Sequence, residues 1–241
     1  MPSLSIAIPA FNEEESLEPV VRRCIEILQQ CSNDFEIVLL DDGSTDHTRA
    51  IIEQLASEYP KVILPCFHQR NEGMSSAFER VQRAATKEYV FLFHADGQYQ
   101  PETIAACLPH LSSCDILLCR RMQKHYSLYR SIISGSYRLL CRLCFGIDLL
   151  DPGGAKVIRS ALFPTIPVRS RSIFSQAERV IRAFRSGCRI HTMDVPCEPR
   201  RTGQAKGGTI RDASVALRDM LLLWWEFHRQ KIAKPVESAS R

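Results

Sequence analysis

Apolar positions along this chain follow two alternating rhythms. Short runs that are apolar on both faces occur at 4–10 (LSIAIPA), 35–40 (FEIVLL), 61–67 (KVILPCF), 89–95 (YVFLFHA) and 115–119 (DILLC). Between them the apolar groups recur with a helical period. Residues 14–30 place Leu17, Val20, Val21, Cys24, Ile25 and Leu28 on one face. A second helix carries Ile51, Ile52 and Leu55 inward, with Ser44 or Thr45 in position to cap it. A third spans 73–86, and a fourth starts at Pro101. Runs buried on both sides and joined by helices predict an α/β fold, a mainly parallel sheet flanked by helices.

Ligands of such sheets bind beyond the carboxyl ends of the strands. The polar residues there are Asn12-Glu13-Glu14, Asp41-Asp42 and His94-Ala95-Asp96-Gly97-Gln98. No G-x-G-x-x-G follows the first strand and no Walker A sequence is present, which disfavours a dinucleotide-binding dehydrogenase and a P-loop enzyme.

Past residue 120 the texture changes. Residues 128–146 read as an apolar helix studded with Arg, and 151–159 (DPGGAKVIR) as a turn into a short strand. Residues 174–186 are a basic amphipathic helix, 188–196 a strand, and 198–211 a basic loop with little apolar content. Residues 212–229 form a helix with a wide apolar face and an acidic stripe at Asp212, Asp219 and Glu226.

Charge sharpens this division. The 241 residues carry a net charge of +4, but residues 1–120 hold 9 Lys+Arg against 18 Asp+Glu, and residues 121–241 hold 22 against 9. An acidic front half suits cations and polar groups, and a basic back half suits an anion. The basic half has no aromatic stacking array or reader motif, so nucleic acid is not the expected partner. No run of about 18 apolar residues predicts a membrane span. The opening MPSLSIAIPAFNEEE lacks a basic n-region, so a cytoplasmic, reducing compartment is expected, with the 10 Cys as thiols. Cys141 and Cys144 form the one C-x-x-C, without a second pair at zinc-finger spacing.

Seven segments, taken in order, resemble one family. IPAFNEEESL, LLDDGSTD, HADGQ, LLCRRM, LYRSIIS, DPGGAK and PRRTGQAKGG are similar to motifs of the dolichol- and polyprenyl-phosphate mannosyltransferase group of family 2 glycosyltransferases, across roughly residues 3–211. The resemblance implies a GT-A, Rossmann-like domain over 1–211, with a nucleotide and metal half at 1–120 and an acceptor half at 121–211. An amphipathic helix and tail follow at 212–241. It implies an inverting transfer of a sugar from a nucleoside diphosphate to a polyprenyl or dolichyl phosphate. Mannose from GDP-mannose is the leading donor. The alternatives are a UDP-sugar-dependent polyprenyl-phosphate or other family 2 glycosyltransferase, and a weakened or non-catalytic sugar-nucleotide-binding homologue. An ionised phosphate nucleophile needs no general base, and no Ser-His-Asp set is evident.

On this resemblance Pro9, Phe11, Glu13, Leu39, Asp41, Ala95 and Asp96 line the donor pocket, and Arg200 and Lys206 belong to a loop that closes over it. Arg121, Arg130 and Ser134 hold the acceptor phosphate, with Asp96, Arg121 and Arg130 as the catalytic set. Asp96 and Gln98 are the oxygen ligands for Mg²⁺ or Mn²⁺. His94 stands where the family has its first motif Asp, and its imidazole is a further ligand suited to Mn²⁺. Met122 replaces the family's usual Tyr. Arg120, Arg138 and Arg142 are expected to be solvated surface groups. The lipid acceptor implies work at the cytoplasmic face of a membrane, through residues 128–146, the helix at 212–229, or a membrane-spanning partner protein.

Overall fold

A computed structural model describes residues 2–122, 128–149, 151, 153–198 and 210–233. Strands β1 (Leu4–Ala10), β2 (Phe35–Asp41), β3 (Ile63–Phe67), β4 (Tyr89–Leu92), β5 (Ile116–Arg121), β6 (Lys156–Arg159) and β7 (Ile190–Val195) form one seven-stranded sheet in the order β3-β2-β1-β4-β6-β5-β7. Every pairing is parallel except those of β6, which runs antiparallel to both β4 and β5. The mainly parallel sheet expected from the apolar runs is therefore present, with one reversed strand inserted between β4 and β5.

Helices cover both faces. One layer holds α1 (Leu17–Cys31), α2 (Thr48–Glu58) and α4 (Glu102–Cys107), and packs on Leu4, Ile6 and Ile8 of β1. The opposite layer holds α3 (Met74–Ala84), α5 (Leu128–Phe145), α7 (Ser175–Arg185) and α8 (Ile210–Ala233), and packs on Ala7, Val38 and Val90. Alternate residues of a strand thus feed separate cores, which is why these runs read as apolar throughout. Burying each Leu, Ile or Val there contributes about 1.5–3 kcal/mol. A four-residue helix, α6 (Leu162–Thr165), has no periodic signal and escapes sequence reading.

Two local expectations change. Ser44 and Thr45 do not cap α2, which starts at Thr48. Asp46 Oδ1 accepts the Thr48 amide instead, at 3.0 Å, and the Ser44 hydroxyl serves the first loop. Strand β4 stops at Leu92; the Phe93 amide still donates to the Ala7 carbonyl at 2.9 Å, and the chain turns at Ala95 and Asp96 at the sheet's end.

Helix α8 sits with its acidic stripe inward. Asp219 accepts from the Ser172 hydroxyl at 2.7 Å, and Glu226 pairs with Arg182 at 2.8 Å and Arg169 at 3.2 Å. Ala216, Met220 and Leu223 complete the buried face. The outward face carries Val215, Leu217, Leu221, Leu222 and Trp225, all exposed.

Gly43 turns the chain after β2 at φ +70°, and a Cβ there would meet the Arg70 backbone at 2.3 Å. Gly43→Ala should therefore lower unfolding free energy by at least about 2 kcal/mol in urea titrations. Gly135, inside α5 with open space around it, is the control. Its Ala variant should gain about 0.5–1 kcal/mol, as Gly to Ala does in a helix.

Candidate active site at the strand ends

The first two loops are knitted together by side chains that cap backbone amides. The Asn12 amide donates to Ser44 Oγ at 2.9 Å, and Asn12 Oδ1 accepts the Thr45 amide at 2.8 Å. The Glu13 amide donates to Thr48 Oγ1 at 2.8 Å, and the Glu14 amide to Asp46 Oδ2 at 3.2 Å. Asn12 adopts φ +51°, a left-handed conformation that Asn tolerates better than most residues. FNEE and DGSTD are thus two halves of one clasp. It fixes Phe11 and Glu13 at the edge of a cavity of about 380 Å³.

Pro9, Ala10, Phe11 and Glu13 form one side of this cavity, and Asp42 enters from the end of β2. Asn71, Gly73, Met74, Ala77 and Phe78 form the side facing α3, and His94, Ala95 and Asp96 the side after β4. Of the donor-side residues expected from sequence, Pro9, Phe11, Glu13, Ala95 and Asp96 lie on this lining, as does His94. Leu39 is fully buried in the core beneath. Asp41 is 1% exposed and its Oδ1 accepts the Ser44 amide at 2.8 Å, so it shapes the turn rather than the wall. The α3 side was missed, yet the polar and Gly residues of RNEG at 70–73, after the third strand, obey the rule that flagged the other loops.

The turn after β4 is held by its own carboxylate, since the Gln98 amide donates to Asp96 Oδ1 at 3.1 Å. His94 packs flat on Tyr99, with ring centroids 5.6 Å apart, and meets Phe78 edge-on at 5.8 Å. Burial among these rings lowers its pKa, as do Arg121 and Lys156, against the pull of Asp96. Its surroundings therefore favour the neutral imidazole. Among the described residues no cluster of three or more His, Cys, Asp or Glu is arranged as a metal cage. The donor set of Asp96, Gln98 and neutral His94 fits a divalent cation that draws further ligands from a diphosphate and water.

Behind His94 lies a buried polar group that sequence reading reached only in part. Arg121, expected on the acceptor side, grips Asp151 with a fork: Nε to Oδ2 at 2.8 Å and Nη2 to Oδ1 at 2.9 Å. Tyr99, 1% exposed, accepts the Ala155 amide at 2.9 Å, and burial raises its phenol pKa. Gly154 is required here, because a Cβ would meet Tyr99 Oη at 2.8 Å and Asp151 Cγ at 3.1 Å. Lys156, 2% exposed on β6, approaches Gln176 Oε1 at 3.5 Å. Tyr99 carried no signal and Asp151 only its place in the DPGGAK motif, since their partners are distant in sequence.

Ser134 is half-buried on α5. The side chain of Arg130, and Arg200 and Lys206 altogether, lie outside the described residues. Arg120 pairs with Asp194, and Arg138 with Asp148 at 3.0 Å on the surface. The chain passes from β7 to the Asp96 turn, where the Glu198 amide donates to the Gln98 carbonyl at 3.0 Å.

Residues 5–160 match the sequence profile described as Glycosyl transferase family 2. The chain belongs to this family. The chain is 30% identical over 152 residues to an undecaprenyl-phosphate 4-deoxy-4-formamido-L-arabinose transferase of Pectobacterium carotovorum, covering 63% of this chain and 46% of that protein. It is 28% identical over 240 residues to a dodecaprenyl-phosphate galacturonate synthase of Rhizobium johnstonii, covering 96% of this chain and 69% of that one. The chain thus spans less than half the length of the first of these relatives. Its fold is shared with glucosyl-3-phosphoglycerate synthase from Mycobacterium tuberculosis, solved with Mn²⁺, UDP-glucose and phosphoglyceric acid. There the TM-score is 0.68 at 15% identity, over 93% of this chain and 80% of that one.

Burial pushes the Lys156 ammonium down to a pKa of about 7 from 10.5. Between those values the unfolded chain holds a proton that the folded chain has released, so stability rises with pH across that window. Below about pH 7 both states are protonated, and the cost of burial is constant. Compared with Lys156→Met, the wild type should gain up to about 1.4 kcal/mol per pH unit in urea titrations between pH 7 and 9. A flat difference would mean that the ammonium stays charged.

Proposed function

We propose that this chain is the catalytic part of an inverting glycosyltransferase. It moves a sugar from a nucleoside diphosphate to the phosphate of a polyprenyl or dolichyl lipid, with GDP-mannose as the leading donor. The observation that carries the reading is the cavity at the strand ends. Phe11, Glu13 and Asp42 wall one side and Asp96 another, and the Arg121–Asp151 fork lies at the end of β5, two strands from β4. The names of the relatives place a polyprenyl phosphate among the acceptors of similar chains.

In this reading Phe11 offers a flat apolar face to the base or ribose, and the sugar faces Asp96. An oxygen of the acceptor phosphate attacks the anomeric carbon from the side opposite the diphosphate. One C–O bond forms as the C–O bond to the diphosphate breaks, so the configuration inverts. The attacking oxygen is already ionised, and no proton need be removed. Arg121, Arg130 and Ser134 orient the acceptor, and Asp151 sets the Arg121 fork before substrate arrives. Arg200 and Lys206 close over the donor. A Mn²⁺ or Mg²⁺ ion held by Asp96 and Gln98, with His94 adjacent, would neutralise charge on the departing diphosphate.

Radiolabelled sugar transfer from GDP-mannose and UDP-sugars to polyprenyl phosphate in detergent tests this. Label should enter the lipid from one donor class. Arg130→Ala should lose about 100-fold or more, in the range for removing a charged transition-state contact, and Arg138→Ala less than about twofold. Equal losses in the two variants, or no lipid product from any donor, would count against the reading.

The outward face of α8 supplies a second argument for a lipid acceptor. Exposed residues from 211 to 229 include Val215, Leu217, Leu221, Leu222 and Trp225 with Arg211, Arg218 and Arg229, and no Asp or Glu. Leu and Trp beside Arg suit the interface of an anionic bilayer. No described helix is long and apolar enough to cross a membrane. The chain should float with anionic liposomes, and Leu221→Glu/Trp225→Glu should remain in the soluble fraction. Flotation of both, or of neither, would refute docking by this face.

A further inference from the structure

Asp42 reaches the cavity from the end of β2, but its carboxylate is already engaged. Oδ1 accepts from His68 Nδ1 at 2.7 Å and from the Glu72 amide at 3.0 Å, and Oδ2 accepts the Gly73 amide at 3.0 Å. The two side chains are 5% and 9% exposed, so these charge-assisted bonds form away from bulk water, where they are strong. A carboxylate at this distance requires the imidazole proton on Nδ1. His68 is itself fixed, because it follows the last residue of β3 and its amide donates to the Asp41 carbonyl at 2.9 Å.

The segment that Asp42 grips has no regular structure of its own. Gly73 adopts φ +88° and stands at the N-terminus of α3, where no side chain of the helix caps it. Asn71, Gly73 and Met74 of this segment line the cavity. The same turn contacts the Arg70 backbone through Gly43, so the β2 and β3 loops are in contact on two sides. Neither the family motifs nor the charge pattern singles out His68.

We propose that His68 is a positioning residue for the donor nucleotide, acting through Asp42 on the Glu72–Met74 rim of the cavity. This rests on the reading that the cavity takes the nucleoside diphosphate. With the imidazole in place, both Asp42 oxygens are turned to the rim, and the nucleotide meets a wall that is already formed. Without it, the carboxylate keeps only the Glu72 and Gly73 amides and loses its one side-chain anchor, so the rim is held less firmly in its binding shape. The Asp96 side, where the sugar is transferred, is untouched, so the defect falls on donor binding rather than on turnover.

The test is calorimetric titration of GDP and UDP, each with MnCl₂, into the full chain and into His68→Asn, His68→Leu and His68→Gln. Donor KM and kcat and a thermal melt accompany each variant. Asn places an amide N–H near the position of Nδ1 and should keep nucleotide affinity within about threefold, whereas Leu and Gln should lose about tenfold or more. Donor KM should rise by the same factor, with kcat changed less than about twofold. Nucleotide affinity in the Leu variant equal to the wild type overturns the assignment. So does a loss that falls on kcat, or equal behaviour of Asn and Gln, the comparison that decides if the Leu variant does not fold. If the wild type binds neither nucleotide, the donor reading of the cavity fails first and this assignment with it. If the wild type binds and all variants bind alike, only the role of His68 is lost.

Discussion

The structure depends on the level at which its first three strands end. The Asp42 amide bonds to the Ala10 carbonyl at 2.8 Å and the His68 amide to the Asp41 carbonyl at 2.9 Å. These backbone bonds continue the parallel ladder one step past the strands, so the three loops leave from a common ledge. Parallel strands point their carboxyl ends the same way, and each loop must then turn back over the sheet. Side chains with short polar tips satisfy the amides exposed by those turns: Ser44, Thr48, Asp46 and Asp42 all accept from a neighbouring loop. The cavity is the space these turns enclose, and its wall is tied to the ends of the sheet by those bonds.

Much of this was legible in the sequence, and the reasons are local. Strand β1 was expected at 4–10 and spans Leu4–Ala10, because a run buried on both faces and closed by a polar cluster leaves little freedom in its ends. Asp96 and Glu13 were legible because strand-end acids are few and the loops that carry them are short. The family resemblance carried Leu39 and Asp41 over as pocket residues, and spacing alone does not tell which of two adjacent positions faces outward. In the structure Asp42 faces the cavity and Asp41 holds the turn. Tyr99 and His68 stayed invisible, and Asp151 showed only as part of the DPGGAK motif, since each acquires its role from a partner 26 or more positions away.

Helix α8 shows how amphipathicity can mislead about which side is inside. Its apolar positions outnumber its acidic ones, and burial of the apolar side would be the ordinary outcome. Arg182 and Arg169, supplied by α7 and the segment before it, are already in place on the domain surface, and Glu226 completes them. Turning the helix over would leave these guanidinium groups without that carboxylate. The domain takes the acidic stripe together with Ala216, Met220, Leu223, Trp224 and Phe227, and leaves a second apolar face outward.

The reversed strand β6 has a consequence for how the chain comes into being. Its neighbours β4 and β5 are made earlier, separated in space by a gap that only residues 156–159 can fill, and β5 meets its other neighbour, β7, later still. During synthesis, β1 to β4 can pair as soon as they emerge. β5 must wait, apolar and without a ladder partner, for roughly 40 further residues to reach β6. Such long-range pairing is slow and exposes unpaired edges. The acidic and basic halves, so distinct in charge, are therefore interleaved in one sheet, and the second cannot be made as a separate piece to be docked on the first.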